Sequence, residues 1–122
     1  MRQARRAAWA IMIAGALLAA PAAQARGGGP VSSMLKPGAC STLTYQWSGF
    51  KKAAAVNFRL HHNGVYQDQA SVAPVATTGS LVIPASLAVQ MLPGEHYTVM
   101  GLLQDGSGRV IQPSPAAWYG YC

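Results

Sequence analysis

Apolar and polar residues alternate along this chain in short bursts, and the bursts are separated by turn-forming pairs. Leu43, Tyr45 and Trp47 alternate with Thr42, Thr44 and Gln46. Side chains two apart share one face of a strand, so this run predicts a strand with one dry and one wet face. Val56, Phe58 and Leu60 repeat the pattern against Ala55, Asn57 and Arg59, and the run ends at Asn63-Gly64. Both of those residues accept positive φ, which suits a tight hairpin. Val65 to Val75 predicts one or two strands broken by Pro74, and Leu81 to Ile83 a short strand stopped by Pro84. Tyr97 to Gln104 is the longest run. After the loop Asp105-Gly106-Ser107-Gly108, Arg109 to Gln112 is expected to return antiparallel and to be ended or edged by Pro113 and Pro115. Ala85 to Leu92 alone has room for a helical turn.

Turn signals recur every ten residues or so: Pro37-Gly38, Ser48-Gly49, Asn63-Gly64, Thr78-Gly79, Pro93-Gly94 and Asp105-Gly106. Short strands at that spacing predict an all-β fold, a single antiparallel sandwich or barrel.

The beginning of the chain follows a different rule. Arg2, Arg5 and Arg6 are followed by an apolar stretch from Ala7 to Ala20, and small side chains stand at Ala23 and Ala25. This order is that of a secretory signal peptide over residues 1–25. The apolar run falls short of the roughly 20 residues of a membrane span, so no transmembrane segment is expected in the mature chain. Residues 26–30, RGGGP, read as a flexible tail, and 31–122 as the domain. Export predicts a periplasmic or secreted protein.

Removing the leader takes much of the net charge of +6 with it. The remaining cations (Arg26, Lys36, Lys51, Lys52, Arg59 and Arg109) are scattered, which argues against a nucleic-acid partner. They could still add a weak electrostatic bias toward anionic cell-surface polymers. Two cysteines remain, Cys40 and Cys122, with no C-x-x-C spacing. In an oxidising compartment such a pair is expected to form a disulfide.

With the strands in place, Met91-Leu92-Pro93-Gly94-Glu95-His96-Tyr97-Thr98-Val99 resembles the corner between the fifth and sixth strands of fibronectin type III domains. Leu43-x-Tyr45-x-Trp47 resembles that family's second strand, and Val56-x-Phe58-x-Leu60 its third. The resemblance spans roughly residues 30 to 122. It implies an immunoglobulin-like sandwich in which Tyr97 is a structural corner whose hydroxyl bonds to backbone just upstream. In seven alternating strands the second begins and the last ends at one pole, which puts Cys40 and Cys122 within bonding reach. The cysteine pair itself departs from the family, where disulfides are uncommon, and no Arg-Gly-Asp occurs in the Asp105 to Arg109 loop.

The sequence carries no recognisable catalytic constellation. Asp68, Glu95 and Asp105 fall in different segments, and Ser107 lacks the G-x-S-x-G setting of a nucleophile. No enzyme activity, no cofactor and no metal site is expected. A lesser alternative, a periplasmic copper-binding protein, rests on His61, His62, His96, Met34, Met91 and Met100. GEHYTV…DGSGRVI is loosely similar to the C-terminal hairpin of small copper carriers. Against it, Ser107 stands where those carriers place histidine, and adjacent His61 and His62 point to opposite faces of a strand.

If Tyr97, Val99, Gly101 and Leu103 face the core, then Thr98, Met100 and Leu102 face out beside Arg59 of the neighbouring strand. Arg59, Met100 and Leu102 therefore form a candidate binding face, with Trp118 and Tyr119 as further aromatic candidates. The competing expectation is that Met100 and Leu102 are covered by Trp118, Tyr119 or the proline-rich end, and that the terminal aromatics pack against the sandwich. The expected function is a non-enzymatic binding or interaction module of a bacterial envelope or secretome, its partner an unknown protein or glycan. The alternative is a structural subunit of a surface assembly or matrix.

Overall fold

The computed structural model describes residues 29–112 and 116–122. The leader 1–25, residues 26–28 of the glycine-rich tail, and Pro113 and Pro115 lie outside the described residues. Seven strands run in the order β1 (Val31–Leu35), β2 (Thr44–Ser48), β3 (Ala55–His62), β4 (Val65–Val72), β5 (Gly79–Val82), β6 (His96–Gln104) and β7 (Ala116–Tyr121). One helical turn, α1 (Ala85–Ala88), lies between β5 and β6, and a 3-10 turn, Cys40–Thr42, precedes β2. The strands make two antiparallel sheets, one ordered β1-β2-β5 and the other β4-β3-β6-β7. The all-β fold class expected from the alternation is the one observed.

The alternation also sets the core. Leu43, Tyr45 and Trp47 from one sheet meet Val56, Phe58, Leu60, Tyr97, Val99 and Leu103 from the other, all buried. Tyr45 stacks on Trp47 with ring centroids 5.4 Å apart and meets Phe58 edge-on at 6.3 Å. Glycine provides room for two of these rings. A Cβ on Gly101 would lie 2.5 Å from the Tyr45 ring, and one on Gly79 2.7 Å from that of Trp47. The β3–β4 hairpin turns at Asn63 (φ 51°) and Gly64 (φ 82°), both left-handed as the Asn-Gly pair suggests.

Two segments differ from the sequence-based expectation. Val65–Val72 is one strand, which ends before Pro74. The antiparallel return after the Asp105 loop is reduced to a single bridge, Gln104 to Val110, and the last strand forms only from Ala116 onward. Gln112 fills the gap between them. Its Oε1 accepts from the Leu103 N–H and, at 3.2 Å, from the Tyr45 hydroxyl, and its Nε2 donates to the Gly101 carbonyl at 2.9 Å. A buried side-chain amide thus takes the place of backbone where β6 has no neighbouring strand.

Cys40 and Cys122 are bonded, with Cα atoms 5.8 Å apart and a sequence separation of 82. The Cys122 N–H also donates to the Glu95 carbonyl at 3.0 Å, so the end of β7 is held both to the turn before β2 and to the residue before β6. Among the described residues no helix is long and apolar enough to cross a membrane.

Candidate functional site

The outer face of the four-stranded sheet carries exposed aromatic side chains and one half-buried cation, Arg59. Strand register arranges them in rows. His61 lies opposite Thr98 and next to Tyr66, and Thr98 lies opposite Tyr119. In the next row Gln69, Arg59, Met100 and Ala117 stand side by side. The third row holds Ser71, Asn57 and Leu102. His96 and Tyr121, paired across β6 and β7, close the face at the hairpin end.

Tyr119 and Tyr121 are each 73% exposed, and Tyr66 is 52% exposed. Imidazoles support all three rings. His61 meets Tyr66 edge-on at 5.8 Å, and His96 lies 6.0 Å from Tyr119 and 5.0 Å from Tyr121. Arg59 is held from one side. Its Nε donates to Asn57 Oδ1 at 2.9 Å, and Asn57 Nδ2 donates to Ser71 Oγ at 2.9 Å. This leaves the outer edge of the guanidinium to other acceptors. Among the described residues the one ion pair is His62 with Glu95, so Arg59 has no carboxylate partner there.

Of the residues singled out in the sequence, Arg59, Met100 and Tyr119 share this face. Leu102 belongs to it by register but is only 6% exposed, so it is not a contact residue. It sits opposite Asn57, also buried, where the returning segment bridges Val110 to Gln104 and bonds Ile111 to Leu103. Trp118 points the other way. It pairs with Val99, packs against the core, and carries the Lys36 ammonium 5.8 Å from its ring centroid. One aromatic of the terminal cluster therefore packs inward, while its neighbours Tyr119 and Tyr121 face water.

Asn57 was expected on this face beside Arg59, and Tyr121 was expected in the terminal aromatic cluster with Tyr119; Tyr66 was missed. Tyr66 needed the hairpin register, which a bulge at Leu60/His61 shifts by one.

Tyr97 lies on the inner face. Its hydroxyl accepts from the Leu92 N–H at 2.8 Å and donates to the Gln90 carbonyl at 3.2 Å, fastening the loop before β6. The remaining chemical candidates take part in local structure. Ser107 Oγ donates to Asp105 Oδ1 at 2.7 Å in a hairpin tip, where that carboxylate also accepts the Ser107 and Arg109 N–H groups. These bonds, the Ser107 hydroxyl first, hold the Asp105 pKa below the usual carboxylate value. His62 stacks on Tyr97 at 4.8 Å and bonds Glu95 Oε1 at 2.9 Å. Among the described residues no three His, Cys, Asp or Glu side chains come together as a metal site.

The arrangement can grip a partner through tyrosine rings, a methionine and a fixed guanidinium. The chain matches no family model, no curated protein and no solved structure.

Proposed function

We propose that this chain is an exported, non-enzymatic binding module of a bacterial envelope or secretome. The contact surface is the outer face of β4-β3-β6-β7, and the partner is a protein or glycan. The observation that carries the reading is the concentration of exposed Tyr66, Tyr119 and Tyr121 around Met100 and Arg59, a cation with no carboxylate beside it among the described residues. Tyrosine and arginine are the residues that interfaces enrich and that dominate binding energy. The Cys40–Cys122 bond and the leader-like residues 1–25 support a periplasmic or secreted location.

The partition into β1-β2-β5 and β4-β3-β6-β7, together with the Tyr97 hydroxyl bonds, supports a fibronectin type III-like variety of the immunoglobulin-like sandwich.

Affinity capture from the native envelope, run beside a glycan array, tests the function. Arg59→Ala and Met100→Ser are expected to lose the ligand that the wild-type chain retains, with unfolding midpoints unchanged. Val89→Ser, at a residue 77% exposed near α1, is the control and is expected to keep it. Ligand retention by both face variants would refute the assignment of this face.

A further inference from the structure

We infer that β7 is an open pairing edge and that its occupant is the β7 strand of a second copy of this chain, joined antiparallel about a twofold axis at Tyr119. The proposal is independent of what the sheet's outer face binds.

Hydrogen-bond parity along β6 is fixed at two places. The Asn63 N–H donates to the His96 carbonyl on the β3 side, and the Cys122 N–H donates to the Glu95 carbonyl on the β7 side. In an antiparallel ladder these directions alternate along each strand. Odd-numbered residues of β6 therefore face β7, and in β7 the even-numbered residues, Ala116, Trp118 and Gly120, answer them. The N–H and C=O groups of Ala117, Tyr119 and Tyr121 point away from the sheet.

The other edges are short or guarded. β1 has 5 residues and β5 has 4. β4 carries a register shift against β3 at Leu60/His61 and is flanked by Gln90, which bonds Gln67 at 2.9 Å and Asp68 at 2.7 Å. Such bulges, charges and covering loops are the usual defences of an edge. β7 itself has no charge, no proline and no register shift over Ala116–Tyr121, and β1 packs near it, with Lys36 over Trp118, without pairing to it. The far end of β7 is fixed by the disulfide, so little order remains to be gained on pairing.

Self-pairing fits this strand in three respects. With the axis at Tyr119, the outward residues meet one another: Tyr119 opposite Tyr119 of the second copy, and Ala117 opposite Tyr121. Each such pair exchanges two N–H···O bonds. Size is complementary too, since Tyr121 meets Ala117 and Trp118 meets Gly120. Finally, no formal charge within either strand opposes the approach. The interface is isologous and closes as a dimer. The two four-stranded sheets would become one, with their tyrosine-bearing faces side by side.

Sedimentation equilibrium of the disulfide-bonded protein, from micromolar to millimolar concentration, tests the proposal. A reversible monomer–dimer equilibrium is expected. Tyr119→Lys places a charge at the axis, and Ala117→Pro removes an N–H that no intramolecular ladder bond uses. Each is expected to raise the dissociation constant by about tenfold or more while the monomer keeps its unfolding midpoint. Met100→Lys, on the face but off the edge, is expected to leave the dimer intact. Amide exchange supplies a readout of register: protection at Ala117, Tyr119 and Tyr121 should rise with concentration. A chain that stays monomeric throughout overturns the proposal. So does a dimer that survives both edge variants, one that Met100→Lys dissolves, or protection that does not follow the odd-numbered pattern.

Discussion

Tyr97 and Gln112 show how much a single polar side chain fixes in a small sandwich. The Tyr97 hydroxyl serves one donor and one acceptor of the loop before β6. Tyr97→Phe keeps the ring and loses both bonds, so a loss of about 1–2 kcal/mol is expected in urea unfolding, with the slope unchanged. Gln112 holds two backbone groups of β6 in a buried setting. Gln112→Ala leaves them without that partner, and a larger loss of about 2–3 kcal/mol is expected by the same measurement. The role of Tyr97 was expected in advance because residues 91–99 resemble the fibronectin type III corner. That of Gln112 was not. The alternation places it at the end of an expected antiparallel return, and its importance comes from β7 beginning only at Ala116, opposite Gly101, which leaves the Leu103 backbone without a β7 partner. Leu102 was misjudged for a related reason: parity predicts which face a side chain takes, and only the fold shows what lies over it. The acids define the pH response. Asp68 is held below the usual carboxylate pKa, first by the Gln90 side chain and then by the Gln69 N–H, and Asp105 is held below it by the Ser107 hydroxyl and neighbouring N–H groups. A carboxylate depressed in the folded state adds stability above its unfolded pKa, and that stability is lost as pH falls through the folded value. The thermal midpoint is therefore expected to hold from neutral pH down to about 4 and to drop below it. The Asp68→Asn, Asp105→Asn double variant should show a flatter acid limb.

At the scale of elements, β2 and β3 were legible because each sets buried apolar residues against more polar neighbours. The hairpin after β3 was legible because Asn-Gly leaves the chain little else to do. β7 was obscure because Ala-Ala-Trp-Tyr-Gly-Tyr has no polar phase, so nothing in it distinguishes Trp118, which packs inward, from Tyr119, which faces water. The pairing of β6 with β7 decides that, through Val99 opposite Trp118. Contact between the sheets is close enough that glycine is required within β6. Gly101→Ala would drive a methyl into the Tyr45 ring, and a destabilisation of about 1–3 kcal/mol is expected on denaturant unfolding.

For the whole molecule, the cysteine pair was legible from compartment and count, and strand alternation put its partners at one pole. Replacing both with Ala is expected to cost about 4–5 kcal/mol in the chain-entropy account, a large share of what a domain this size possesses. Calorimetry of the double variant at neutral pH would register it as a fall of many degrees in the midpoint. The same bond has a further effect on how the protein endures proteolysis. Because the covalent ring runs from Cys40 to Cys122, it encloses β2 through β7 and every turn between them. A protease that cuts once at an exposed tip, such as Gly106, would open the ring without freeing either piece. The nicked chain would travel as one band on a gel until a reductant parts it, and the sheets would hold their places in the meantime.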